Sequence, residues 1–156
     1  MDEMDRKILA VVQDDSSLSV ADMAEKVGLS HTPFWRRLKR LEKDGVIKER
    51  VSILDQHKLG LDITVFAHIR LKEHDEETLE AFERDVAGYP EVVECYSMSG
   101  ETDYVVRALV ASIEEYERLL KRKLLHLPGV VAINSHFALK CIKLTTKLPI
   151  AAQTER

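Results

Sequence analysis

The sequence predicts an α+β protein in two parts: an N-terminal winged helix-turn-helix, then a ferredoxin-like βαββαβ sandwich of the kind that pairs into a dimeric α+β barrel. Three observations predict it. A short helix opened by Ser19 runs to Gly28 and is followed at once by a capped, strongly basic helix. Past residue 61 the apolar period switches in the order strand, helix, strand, strand, helix, strand. The two helix-to-strand joins repeat each other, as Tyr89-Pro90-Glu91-Val92-Val93 and Leu127-Pro128-Gly129-Val130-Val131. The expected division is residues 1–54 as a head, 55–61 as a hinge, 62–147 as the sandwich and 148–156 as a tail.

In the head, Met4, Ile8, Leu9, Val11 and Val12 share one face of a first helix over residues 2–14, with Asp2 as its N-cap. Asp14-Asp15-Ser16-Ser17 interrupts it. Ser19 and Asp22 stand three apart, resembling a capping box for a short helix through Val27, whose inner side is Leu18, Met23, Ala24 and Val27. Gly28 makes the turn and Ser30 is placed to cap the third helix, with Pro33 in its first turn. Phe34, Leu38 and Leu41 recur at helical spacing and face the other two helices, so Thr32, Arg36, Lys39 and Arg40 face away. Trp35 flanks this face, as packing or as contact. Val46–Leu54 is rich in β-branched residues and reads as two short strands or one bent one, the wing. Asp55–Gly60 reads as a polar hinge.

Charge locates the partner. Ser30–Arg50 holds seven basic residues against three acidic ones, a net of +4 in a chain of net −4, so the remainder carries −8. A basic island in an acidic protein marks where a polyanion sits. A recognition helix reads bases near its N-terminus and holds phosphates with longer cations. Double-stranded DNA is therefore the expected partner. His31, Thr32 and Arg36 lie nearest base edges, Ser30 at the helix start is counted with the DNA-binding residues, and Arg37, Lys39, Arg40, Lys48 and Arg50 are assigned to phosphates. A charged helix alone would read as a solvated face; the preceding capped helix and glycine turn favour DNA.

In the sandwich, Ile63–Leu71, Val92–Met98, Tyr104–Val110 and Val130–Lys143 are the expected strands. Glu76–Val86 and Ser112–Leu125 are the helices, the second opened by a Ser112/Glu115 box. Both helices cover one sheet face. The other carries enough apolar side chains to call for a two-fold partner. The polar loop Ser97–Tyr104 is good turn chemistry, and Thr102 and Asp103, beside Gly100, are also fit to hold a small zwitterion.

Other chemistry finds little support. Cys95 and Cys141 are far apart, without metal-ligand spacing, and read as buried free thiols, the alternative being a redox sensor. His74-Asp75-Glu76-Glu77 looks like a metal cluster but is better explained as acid at a helix start. No cofactor, metal or catalytic motif is expected. There is no signal-like apolar run or membrane-length stretch, so the expectation is a cytoplasmic, nucleoid-associated protein.

The chain resembles the Lrp/AsnC family of transcription regulators. The resemblance rests on the opening helix Met4–Gln13, LSVADMAEKVGLSHTPFWRRLKRLEKDGVIK, LDQHKLGL, GETDYVVR and LPGVVAINSHFALKCIKLTTKLPI, and spans about residues 2–150. It implies a sequence-specific transcriptional regulator whose DNA binding or oligomerisation responds to an amino-acid effector. It also implies homodimers assembling further, to octamers among other forms. The effector would bind at Gly100, Glu101, Thr102, Asp103 and Tyr104, and Asn134, Ser135 and His136 are candidates for a second wall supplied by a neighbouring dimer. The competing classes are an enzyme of the dimeric α+β-barrel type and a ligand-independent architectural DNA-binding protein.

Overall fold

The computed structural model describes residues 1–150; part of the expected tail, residues 151–156, lies outside the described residues. The chain forms two compact units, Met1–Ile53 joined by the C-terminal stretch from Lys143, and Leu54–Ile142.

The head holds α1 (Glu3–Asp14), α2 (Val20–Lys26) and α3 (His31–Lys43). Their ends explain their limits. Asp2 and Asp5 form a full capping box, each carboxylate accepting the other's backbone N–H at 2.8 and 3.0 Å. Ser19 Oγ accepts from the Asp22 amide at 3.1 Å, but the Asp22 carboxylate takes the Ser19 hydroxyl rather than its amide. Gly28, at φ 72, lets the Leu29 amide fold back to the Ala24 carbonyl at 3.0 Å, so α2 stops where α3 has to begin. Ile8, Val12, Met23, Ala24, Phe34, Leu38 and Leu41 form the core between the three helices, with Phe34 wholly buried.

The wing strands expected in Val46–Leu54 do not form. The Val46 and Ile47 amides are spent on the Leu41 carbonyl that ends α3, and the segment has no Gly, Asn or Asp to make a tight hairpin turn. Val51, Ile53 and Leu54 stay exposed.

The second unit opens with a turn in which the Asp55 carboxylate accepts from the His57 and Lys58 amides. It continues as β1 (Ile63–Leu71), α4 (Glu76–Val86), β2 (Val92–Ser97), β3 (Tyr104–Val110), α5 (Ile113–Arg122), a 3₁₀ turn Leu124–His126, and β4 (Val130–Phe137). The sheet order is β2-β3-β1-β4, antiparallel throughout, the ferredoxin-like order. Val65, Ala67, Ile69 and Leu71 on β1 and Tyr104, Val106, Ala108 and Val110 on β3 pack under the helices with Phe82, Val86, Tyr116 and Leu119. Strand parity puts Phe66, His68, Val105, Arg107 and Leu109 on the other face. Strand β4 is shorter than the expected 130–143. It ends at Phe137 because β1 ends: Phe137 faces Val65, and one further bond joins the Ala138 amide to the Thr64 carbonyl. Ser112 caps α5 as expected, while Glu115 reaches the Ala111 amide rather than that of Ser112.

Candidate nucleic-acid interface and effector site

Helix α3 sinks Phe34, Leu38 and Leu41 into the head core and turns the rest outward. Ser30 occupies the N-cap position in extended backbone, yet its hydroxyl makes no bond to the helix, contrary to the expected cap. His31, Thr32, Arg36, Lys39, Arg40, Lys48 and Arg50 are exposed, as is Trp35.

The organising residue is one that sequence reasoning missed. Asp5 of α1 is 1% exposed, and its carboxylate receives the Arg40 guanidinium at 2.7 Å, that of Arg37 at 2.8 Å and the Asp2 amide. Arg37 also bonds Asp2 at 2.6 Å. That guanidinium holds the Asp2 carboxyl down to about 2, and the same pairing raises Arg37. The signal was present in the sequence: Asp5, Ile8 and Val12 fall on one helical stripe, and an acid on an apolar stripe needs a buried cation.

The α3 cations therefore differ in kind. Arg37 and Arg40 are fastened to α1. Lys39 and Arg50 both pair with Glu42, at 2.7 and 2.9 Å, and lower its pKa, Lys39 most strongly. Among the described residues Arg36, Lys43 and Lys48 have no carboxylate partner.

In the second unit the loop after β2 is pinned from within. The Met98 amide bonds the Asp103 carbonyl and the Asp103 amide the Ile69 carbonyl, at 2.8 and 2.9 Å. The Asp103 carboxylate accepts from the Leu71 amide and meets His74 Nε2, both at 2.7 Å. The Leu71 bond first, then His74, keep it below the usual carboxylate range. Asp103 is thus an anchor, while Gly100 and Glu101 are exposed and Thr102 half-buried. Tyr104 points to the helix side. Its ring lies 4.4 Å from that of Phe82 and its hydroxyl donates to Glu83 at 2.7 Å, so burial and that carboxylate push its pKa up. Asn134 and His136 lie on the open sheet face, where the His136 ring meets that of His68 edge-on. Ser135 lies on the helix face, bonded to the Tyr116 hydroxyl. One chain does not bring these three together with residues 100–104, since β1 runs between.

The expected burial of the thiols fails: Cys95 and Cys141 are free and exposed overall. The Cys95 thiol group is nonetheless partly desolvated, and this, with Glu83, pushes it up, leaving a neutral thiol rather than a reactive thiolate. Around His74, Asp75 is used to cap α4, and no cluster of three metal-ligating side chains occurs among the described residues.

Two family models cover these two units: residues 1–48 match a winged helix-turn-helix DNA-binding domain and residues 64–148 the Lrp/AsnC ligand binding domain. The chain belongs to the Lrp/AsnC family. It is 43% identical to the DNA-binding transcriptional activator DecR of Escherichia coli K12, over 96% of this chain and 99% of that one. An AsnC family transcriptional regulator from Agrobacterium tumefaciens superposes with a TM-score of 0.92 at 47% identity, covering 96% of this chain and 97% of that one. A Neisseria meningitidis regulator, solved as its L-Met complex, reaches 0.92 at 33% identity with the same coverage. As an Lrp/AsnC protein, the chain is a transcriptional regulator with a DNA-binding head and a ligand-binding domain. Among the described residues no helix is long and apolar enough to cross a membrane.

Proposed function

We propose that α3 reads an operator through Ser30, His31, Thr32 and Arg36, with Lys39, Lys48 and Arg50 on phosphates, and that Arg37 and Arg40 act mainly by fixing the pose of α3. The observation that carries this is the Asp5 carboxylate, which locks two arginines to α1 and leaves Arg36 as the unpaired cation among the outward-facing residues of the helix's first two turns. An uncapped Ser30 hydroxyl at the same end adds a free donor and acceptor.

The second unit binds an amino-acid effector, supported by its family model and by the relative that holds L-Met. Gly100, Glu101 and Thr102 present the accessible part of the loop. Asp103 and Tyr104 hold it in place; Asn134 and His136, on the open sheet face, meet the partner protomer instead of serving as a wall from a neighbouring dimer. Two protomers pair through the open sheet faces, where Phe66, Tyr96, Val105 and Leu109 gather, and dimers assemble further, up to octamers. The protein acts in the cytoplasm on the nucleoid and catalyses no reaction. Effector binding changes DNA affinity only by its differential affinity for the two assemblies or head spacings.

The test is an anisotropy titration of a duplex selected from random DNA by the protein itself, with and without each amino acid. Sequence-preferring binding altered by one amino acid supports the reading. Equal affinity for random DNA makes the protein architectural instead.

A further inference from the structure

A groove of about 500 Å³ lies between α4 and the edge strand β2 and reaches Ser97 and Tyr104, the two ends of the loop after β2. That volume is in the range of small-molecule sites. Its walls are Val86 at the end of α4 and the capping Ala87, Val92, Val93, Cys95 and Ser97 of β2, the Tyr104 ring, and Glu83 at one side. The lining is mixed: Val86, Ala87, Val92 and Val93 make an aliphatic side, while Glu83, Glu94, Ser97, Cys95 and the Tyr104 ring make the other, and it contains no lysine or arginine.

The two carboxylates differ. Glu94 is neutralised by Arg107 at 2.6 Å. Glu83 has no cation partner among the described residues; it accepts one bond, from the Tyr104 hydroxyl. That bond fixes one carboxylate oxygen and leaves the other open. Cys95, a neutral thiol, supplies soft wall rather than charge.

We propose that this groove binds a small primary alkylammonium ion, its cationic head on Glu83 and its chain along Val86, Ala87 and Val92. Charge decides the class. A fixed anion with an aliphatic trough favours a cation on an aliphatic stem, and a ligand carrying a carboxylate finds no counter-charge in the lining. The groove shares Tyr104 with the residues assigned to the effector, so this proposal rests on that site's neighbourhood and amines and effectors are expected to alter each other's affinity.

The test is a methyl-NMR titration of the full-length protein with methyl-, n-butyl- and n-hexylammonium chloride, and with butyrate and L-norleucine as controls. The expected result is saturable shifts at the Val86, Ala87 and Val92 methyls. Affinity should rise up to about fourfold per buried methylene and fall roughly tenfold or more in Glu83→Gln, which keeps an acceptor for Tyr104. Ala87→Trp, filling the groove at an exposed position, should abolish the shifts while the rest of the spectrum is unchanged. Unmoved methyls, equal binding by Glu83→Gln, no dependence on chain length, or tighter binding of norleucine than of hexylammonium would each overturn the proposal. So would a change in sedimentation of Glu83→Gln without amine binding, which would assign the groove to a lysine of a second copy.

Discussion

Replacing Asp5 by Asn removes a charge while keeping the shape of the side chain, and its cost follows from the surroundings. The carboxylate is 1% exposed and receives two guanidiniums and the Asp2 amide. Breaking a buried ion pair typically costs about 3–5 kcal/mol, mostly because the surviving charge is stranded. Here the survivors are not fully stranded, since the Arg37 and Arg40 side chains are 31% and 51% exposed and can rehydrate. The loss is therefore expected at or just below that range, about 2–3 kcal/mol, with one charge-assisted bond to each arginine weakened. Trp35, the chain's only tryptophan and itself on α3, reports on the head selectively, so urea unfolding followed by its fluorescence isolates this unit. Asp5→Asn should lower the head's midpoint by that amount. Asp5→Asn combined with Arg40→Gln should cost clearly less than the sum of the two. A shift below about 0.5 kcal/mol, or strict additivity, would refute the claim that Asp5 organises α3.

Other outcomes follow from the same structure. Asp2 is depressed from 3.8 to about 2, so its contribution is present above its unfolded value and is lost as pH falls between these limits; Asp2→Asn should flatten the acid limb of the Trp35-detected stability in that window. Gly28→Ala has room for its methyl but forces an L side chain to φ 72, and should destabilise the head by about 1–2 kcal/mol in the same assay. Asp103→Ala strands the Leu71 amide and frees His74, so it should destabilise the second unit by about 1–3 kcal/mol and weaken the effector-induced rise in melting temperature.

Much of the fold was legible because its signals are local. Caps at Asp2, Ser19 and Ser112, the turn at Gly28 and the stripe Phe34-Leu38-Leu41 each act within a few residues and reappear in the structure. What failed depends on partners remote in sequence. Strand β4 was drawn too long because Lys140–Lys143 continues a β-prone run, whereas its end is set by where β1 begins. The wing failed because the amides of Val46 and Ile47 were already claimed by α3. The cysteines were misplaced because composition says how often thiols are buried, not that Cys95 lies on the edge strand β2 or that Cys141 falls past the end of β4. In the candidate site, the basic residues were legible but their division was not. Only the fold brings Asp5 against Arg37 and Arg40, separating cations tied to α1 from those without such a tie.

The most direct test of that division is the salt dependence of DNA binding by the wild type, Arg36→Ala and Arg40→Ala, on a duplex selected by the protein. Wild-type affinity should fall linearly on a log–log plot, by ~10³-fold or more from low to physiological salt if about six phosphates are contacted. Arg36→Ala, which removes the side chain proposed to read a base, should weaken binding to the selected duplex at least tenfold and relax its preference over random DNA, with a folded head. Arg40→Ala should lose head stability along with affinity. A salt-independent affinity, or an Arg36→Ala protein that binds the selected duplex as the wild type does, would contradict the account.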